Sequence, residues 1–520
     1  MALGRALSVA IVGMEGQLVE VEADVTSGLP AFNLVGLPDA SLNESRDRVR
    51  AATSNSGHAL PHCRITVNLS PASIPKAGTG FDLAVAAALL SANGVAPNES
   101  VRRFVHLGEL GLDGRVRPVR GVLPAALAAV RAGRPDLVVP AENAQEAGLV
   151  PGARVWPVRH LNEVIVLHGG DPPAADPLLA VDEPEMLGVG RQGRSAGPKV
   201  LPDLADVIGQ HEGRRALEVA AAGGHHLLLV GPPGAGKTLL AARLPGVLPD
   251  LDDEQAVEVT AVHSLAGTLD PSAGLIRRPP FESPHHTATL ASLVGGGSGL
   301  PRPGAASRAH RGILFIDEAA ELRGHVLDAL RQPLEDGKLM IHRAQGSAEF
   351  PARFQLVLAT NPCPCGLFQG SGLECSCLPN VRRRYLSRLS NPLLDRIDLQ
   401  VEVFAVSRSD LLAEREPEST ATVAARVAAA RAVQRERLAD TDLVCNGEVS
   451  GKILRGGWRL PPAVTQDLDL ALDRARLSIR GYDRVLRIAW TLCDLAGRTR
   501  PDRDDVGRAL MLRQGMRAAA

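Results

Sequence analysis

Residues Gly231-Pro232-Pro233-Gly234-Ala235-Gly236-Lys237-Thr238 constrain this chain more than any other stretch. They follow an apolar run, Leu227-Leu228-Leu229-Val230, that reads as a buried parallel strand. They precede Leu239-Leu240-Ala241-Ala242-Arg243, which reads as the first turns of a helix. Glycines at these places let backbone N–H groups curl around phosphate oxygens, and the helix N-terminus adds positive potential. Lys237 is then placed to reach the β- and γ-phosphates and Thr238 to put its hydroxyl on Mg²⁺, so ATP and Mg²⁺ are the expected ligands. A chain built around such a loop alternates strands and helices in a doubly wound α/β sheet.

With 520 residues, several domains are expected. Hydrophobic residues make up 45% and charged residues 22%, which suits globular material with real cores. Aromatics are only 3%, so those cores must be built from Leu, Val, Ala and Ile. A formal net charge of -1 argues against nucleic-acid binding through overall charge; any basic surface must be local. No apolar run reaches the ~18 residues of a membrane span, and no membrane partner is expected. The N-terminus continues into Gln17 to Val25 with strand-like alternation, so it reads as a hairpin and not as a secretion signal. With seven cysteines and no such signal, a reducing, cytoplasmic setting is expected.

Periodicity divides the chain into four parts. Residues 1–167 alternate β-like runs (Leu18 to Val25, Arg64 to Leu69, Leu137 to Val139) with Ala-rich helices (Leu83 to Ser91, Leu123 to Ala132). Residues 168–200 are rich in Pro, Gly and charge and read as a linker. Residues 201–405 form the nucleotide core, with strands at Leu227 to Val230, Gly312 to Ile316 and Phe354 to Ala359. Residues 406–520 read as a helical bundle: Ser419 to Leu438, Pro462 to Ala475, Tyr482 to Ala496 and Arg503 to Gln514.

The strand ending at Ile316 runs into Asp317 and Glu318. Beside a phosphate loop, Asp317 would hold Mg²⁺ through water and Glu318 would polarise the attacking water. Asn361, just past Phe354 to Ala359, could orient that water from the other side; otherwise it is a turn before Pro362. Arg396, in Asp395-Arg396-Ile397-Asp398, is either a surface ion-pair residue or a group that reaches a neighbouring subunit's γ-phosphate. In Gly481-Tyr482-Asp483-Arg484-Val485-Leu486-Arg487, either arginine could close over the nucleotide from the lid.

This order of motifs resembles the AAA+ ATPases. Arg278-Pro279-Pro280-Phe281, Pro284-His285-His286-Thr287, Gly295-Gly296-Gly297, Ala309-His310-Arg311-Gly312 and Asp328-Ala329-Leu330-Arg331-Gln332-Pro333-Leu334-Glu335 are similar to the magnesium-chelatase-like branch. Gly36-Leu37-Pro38-Asp39 and Glu44-Ser45-Arg46-Asp47-Arg48-Val49 resemble the bacterial YifB/ComM proteins. The resemblance implies a homo-hexameric ring ATPase that acts on branched or single-stranded DNA. The implied role is branch migration in natural transformation or recombination, with a recombinase as a further partner. It also implies that Arg396 is the trans arginine finger and Arg487 the lid sensor. The first 167 residues resemble the Lon-protease-like, ribosomal-S5-like fold, with Pro75 to Asp82 in the place of the nucleophile loop. Gly80 then stands where the serine belongs and Pro124 where the activating lysine belongs, so no peptidase activity is expected. Lys76 and Ser73 nearby read as structural.

Cys363-Pro364-Cys365 and Cys375-Ser376-Cys377 offer four thiolates from two tight turns, a set that can close a tetrahedral Zn²⁺ site. Unremarkable loop thiols or a redox pair are the alternatives. The following Arg382-Arg383-Arg384-Tyr385 suits backbone contact with DNA, or else a solvated helix start. Cys63, Cys445 and Cys493 stand alone. His285-His286 read as part of a structured insertion near a ring pore, and His225-His226 as packing. Two other functions fit the same motifs: a chaperone that remodels a metal-insertion partner, and a nucleotide-dependent DNA-binding scaffold.

Overall fold

The computed structural model describes residues 3–171 apart from 38 and 77, then 201–297, 301–343, 346–368, 374–408, 410 and 417–514. Of the expected linker, residues 168–171 close the first domain, and 172–200 lie outside the described residues.

The alternating run at the start does form a hairpin. Gly4–Val12 pairs antiparallel with Glu15–Thr26, Val12 opposite Glu15. These two strands lie inside a seven-stranded mixed sheet; spatially it runs Ala31–Val35, Arg64–Ser70, Glu15–Thr26, Gly4–Val12, Val105–His106, Asp136–Pro140, Arg154–Val158. The helix Asp82–Ala92 (Asp-Leu-Ala-Val-Ala-Ala-Ala-Leu-Leu-Ser-Ala) is apolar all round because it is covered all round, and every residue from Asp82 to Ser91 is buried. It packs on the hairpin strands and under the helices Ser45–Asn55 and Leu161–Leu167. Its one carboxylate, Asp82, is met by Arg48 (Nε to Oδ2, 2.6 Å), which explains why the Glu44 to Val49 motif carries that arginine. Burial pushes the Asp82 carboxyl up, and Arg48 works against that shift.

The core sheet is wholly parallel. Its spatial order is Phe281–Glu282, Ile313–Ile316, Gln355–Thr360, Leu227–Val230, Leu399–Glu402. Leu227–Val230 therefore lies between Gln355–Thr360 and Leu399–Glu402, and the loop that follows it opens at the carboxyl ends of the strands, where doubly wound sheets bind ligands. Alternation divides the side chains between two layers. Leu227, Leu229, Phe315 and Val357 face a core shared with Leu217, Val427, Val485 and Ile488. Leu228, Val230, Leu314 and Leu358 face Leu293, Leu322, Leu327 and Leu389. The C-terminal helices Thr420–Arg437 and Ile479–Leu495 are thus one layer of the nucleotide core and not a loosely appended bundle.

The fourth helix of that bundle, Arg503–Gln514, has the bounds read from the sequence, whereas the third differs at its start. Ser478 caps the helix Ile479–Leu495 by accepting from the Gly481 N–H, so it begins three residues before Tyr482. Gly481 in its first turn hid this from propensity. The first domain is locked to the core. Glu146, buried beside Asn143, accepts from the Leu123 N–H at 3.0 Å and from the Ser264 hydroxyl on the core helix Asp253–Ala266.

Candidate functional site

The loop between Val230 and Lys237 turns back on itself through Gly234 (φ +76°) and Gly236 (φ +91°), conformations in which an L side chain is strained. A Cβ at Gly234 would meet nothing within 4 Å, so the loop is uncovered there. The helix Lys237–Ala241 starts at once, and the first N–H groups of a helix have no partner within it. Lys237 is buried, and its ammonium donates to the carbonyls of Gly231 (2.7 Å) and Pro232 (2.9 Å) and to Asn361 Oδ1 (3.1 Å). Burial pulls this ammonium below its ordinary value, against the opposing charges of Asp317 and Glu318. A cation held only by neutral oxygens beside an open backbone cradle suits a phosphate group.

Two further pieces meet there. Thr238 Oγ1 donates to Asp317 Oδ2 at 2.7 Å, so the hydroxyl and carboxylate expected to hold Mg²⁺ are already side by side. Both are hard oxygen donors, as Mg²⁺ requires. Glu318 stands in the left-handed region (φ +50°), a conformation that costs on the order of 1–3 kcal/mol for a residue with a side chain. The Asp317 carboxylate holds it by accepting from the Glu318 N–H at 2.9 Å.

Sequence reasoning missed His286. Its Nδ1 lies 2.9 Å from Glu318 Oε2, and its ring stands 4.1 Å from that of His285. The short strand Phe281–Glu282 pairs with Ile313 and Leu314, which carries the following Pro284 to Thr287 turn to the same carboxyl end as Glu318. The motif containing both histidines was visible; the two-residue strand that aims it was not.

The arginines lie elsewhere. Arg396 is buried, donating to the Pro392 carbonyl at 2.6 Å and to Glu335, while its Nε finds no partner among the described residues. Arg484 Nη1 pairs with Asp398 Oδ1 at 2.5 Å, and Arg487 Nε donates to the Val449 carbonyl at 2.7 Å. Asp398 immediately precedes Leu399–Glu402, and its Oδ2 accepts from the N–H of His226, which precedes Leu227–Val230. Arg484 and Arg487 thus border a cavity at the amino ends of the strands, with Gly312 and Gln355, whereas Lys237 sits at the carboxyl ends. Burial lowers Arg487 and draws His225 and His226 down to about 4. Burial would raise Asp398, but Arg484, the two histidines and Arg487 hold it well below the usual carboxylate range.

The four clustered cysteines converge: their sulfurs all lie within 4.8 Å of one another. Burial pushes Cys363 up to about 12, while the Leu367 backbone N–H draws Cys365 down to about 6. The helix Pro379–Leu386 follows. Its Tyr385 is buried, and burial pushes that phenol up to about 12. Arg382 stacks 3.7 Å over Phe368, and Arg383 and Arg384 are exposed.

The model of the family described as magnesium chelatase, subunit ChlI, matches residues 203–411. Two companion models, for subunit ChlI of Mg-chelatase and for the ChlI C-terminal region, match 21–143 and 417–513. An uncharacterised protein of Mycobacterium tuberculosis is 53% identical over 514 residues, 99% of each chain. The competence protein ComM of Haemophilus influenzae is 40% identical over 498 residues, covering 96% of this chain and 94% of its own. The chain belongs to the YifB/ComM family of magnesium-chelatase-like proteins. An uncharacterised YifB protein of Salmonella typhimurium, 40% identical over 488 residues and covering 94% of this chain and 92% of its own, places it there equally. The phosphate loop, Asp317-Glu318 and Asn361 all fall inside the region that the first family model matches. No helix among the described residues is long and apolar enough to cross a membrane.

Proposed function

We propose that this chain is an ATP-hydrolysing ring motor that moves branched or single-stranded DNA. The observation that carries the reading is the convergence of Lys237, the Thr238–Asp317 pair, Glu318 and Asn361 at the carboxyl ends of one parallel sheet. Residues Gly231 to Thr238 cradle the triphosphate, and the Lys237 ammonium exchanges its carbonyl partners for β- and γ-phosphate oxygens. Thr238 and Asp317 would hold Mg²⁺, which when bound would neutralise charge on the transferring phosphoryl group. The Glu318 carboxylate takes the proton of the attacking water, with His286 fixing its orientation from the adjacent strand end and Asn361 facing the water from the opposite side.

A homo-hexamer completes each site. In this reading Arg396 is the trans arginine finger and Arg487 the lid sensor; in the single chain Arg396 is tied to the Pro392 carbonyl and Glu335 and Arg487 to the Val449 carbonyl, so both roles require these contacts to be exchanged on assembly. The DNA reading rests on the Haemophilus relative being a competence protein and on the exposed Arg383 and Arg384 in a chain of net charge -1. A cytoplasmic location and a recombinase partner belong to the same reading. The test is ATP hydrolysis by the purified chain with and without forked DNA. Hydrolysis that rises with DNA and is abolished by Glu318→Gln is expected; hydrolysis no greater than that of the variant would refute the motor.

A second reading follows from the family models, all three described as magnesium-chelatase subunit regions: an ATPase that remodels a metal-insertion partner. It predicts hydrolysis indifferent to DNA, so the same assay separates the two.

A further inference from the structure

Among the described residues from Pro362 to Leu378 none lies in a helix or strand, and only Cys363 and Gly366 are buried. Apolar packing therefore gives this loop no core of its own. Its order must come from another source, and the sulfurs provide one. Cys363 Sγ lies 3.3 Å from Cys365 Sγ and 3.7 Å from Cys375 Sγ, and Cys365 lies 3.6 Å from Cys375. Zn–S bonds of about 2.3 Å at tetrahedral angles separate ligand sulfurs by about 3.8 Å. Disulfide bonding would bring a pair to about 2.05 Å. The three spacings lie near the edge length of such a tetrahedron and well beyond a disulfide bond, and the Cys377 sulfur lies within 4.8 Å of the other three. Backbone N–H groups face the sulfurs as well: Phe368 toward Cys363, Leu367 toward Cys365 and Cys365 toward Cys377. Such donors stabilise thiolates, the form that binds metal.

The loop touches both halves of the proposed machine. At one end it continues directly from Asn361, which accepts from Lys237. In the middle, Gly366 (φ +78°) lies flat on the phosphate loop; a Cβ there would fall 2.6 Å from Pro233 Cδ. On the other side Phe368 carries the Arg382 guanidinium, and the loop runs into the basic helix Pro379–Leu386.

We propose that Cys363, Cys365, Cys375 and Cys377 hold one Zn²⁺, and that this ion clips the phosphate loop to the basic helix. The metal is structural: four thiolates leave no open coordination position for water or substrate. Binding converts thiols to thiolates and releases their protons to solvent. The clip makes the nucleotide loop and the Arg382–Arg384 surface move as one body, so a change at the phosphates is felt at the arginines. This second part rests on the motor reading, whereas the metal itself does not.

Elemental analysis of the purified full-length protein tests the metal in the absence of ATP and DNA, so its outcome is independent of the motor. One zinc per chain is expected, with four thiols becoming titratable when a mercurial releases it. Cys363→Ser should lose the zinc and Cys63→Ser keep it. Cobalt(II) substituted for zinc should show the absorption of a tetrahedral four-thiolate site. Wild-type protein without zinc, with iron in its place, or a Cys375→Ser/Cys377→Ser double variant that keeps full zinc would overturn the site. Hydrogen exchange before and after zinc release tests the clip: residues 379–386 and the loop around Pro233 should lose protection together. Unchanged protection at both would overturn the clip while leaving the ATPase reading intact.

Discussion

Replacing Arg484 by methionine would leave a carboxylate stranded at the seam between core and lid. The Asp398 side chain is 2% exposed and that of Arg484 15%, with Nη1 and Oδ1 2.5 Å apart. What remains for Asp398 is the His226 N–H at 2.9 Å, the His225 ring at 4.0 Å and the charge of Arg487. Removing one partner of a buried pair costs about 3–5 kcal/mol, because the other is left charged and dry. Arg503 gives the internal control. It pairs with Asp467 at 2.9 Å, but the two side chains are 57% and 46% exposed. That pair is worth about 0–1 kcal/mol. Urea unfolding followed by tryptophan fluorescence reports the lid, since Trp458 and Trp490 pack there with ring centroids 4.9 Å apart. Arg484→Met should unfold at clearly lower urea than Arg503→Met.

The pH dependence carries the sign. In the wild type the Asp398 carboxyl is held low, so its contribution is present above the unfolded carboxylate pKa and is lost only as pH falls through the folded value. In the variant burial is less opposed and the carboxyl rises from its wild-type value, so the penalty is greatest at high pH and shrinks on acidification. Equal midpoints for the two arginine variants, or a gap that widens in acid, would refute this account of the seam.

Other outcomes follow from the same geometry. Burial draws His225, His226 and His168 down to about 4 and His106 to about 3, so between the unfolded value near 6.5 and these values the unfolded chain binds more protons. Stability should fall as pH drops through that window, by up to about 2 kcal/mol per histidine between about pH 7 and 5; a flat melting profile would contradict it. Lys237→Ala removes a charged donor to phosphate and should weaken binding of a fluorescent ATP analogue by about 10- to 100-fold; an unchanged titration would remove Lys237 from the site. Replacing Arg382, Arg383 and Arg384 by alanine should flatten the logarithmic salt dependence of DNA binding by roughly 0.7–0.9 per lost contact, and an unchanged slope would place the DNA elsewhere.

The phosphate loop was legible because its signal is local: an apolar run, glycines, Lys237 and a helix, all within some fifteen residues. Asp317 beside Thr238 followed because parallel strands carry their carboxyl ends to one edge. Leu399–Glu402 was missed because Gln400 and Glu402 break its apolar pattern, although its backbone pairs with Leu227–Val230 as any parallel strand would. The His286–Glu318 contact depends on a strand two residues long, below the reach of periodicity. The positions of Arg396, Arg484 and Arg487 depend on how the lid packs against the sheet, a long-range property that no window of sequence contains. For the cysteines, spacing alone left loop thiols and a redox pair open beside a metal set; that all four sulfurs converge within 4.8 Å depends on the path of the loop, which spacing does not contain.

The most direct test of the central claim is a four-way DNA junction incubated with the purified chain and Mg-ATP. The account predicts that the junction is resolved into duplexes by the wild type, and that Glu318→Gln binds the junction but leaves it intact. Junctions left whole by an active, ATP-hydrolysing wild type, or resolved equally by the Glu318→Gln variant, would contradict it.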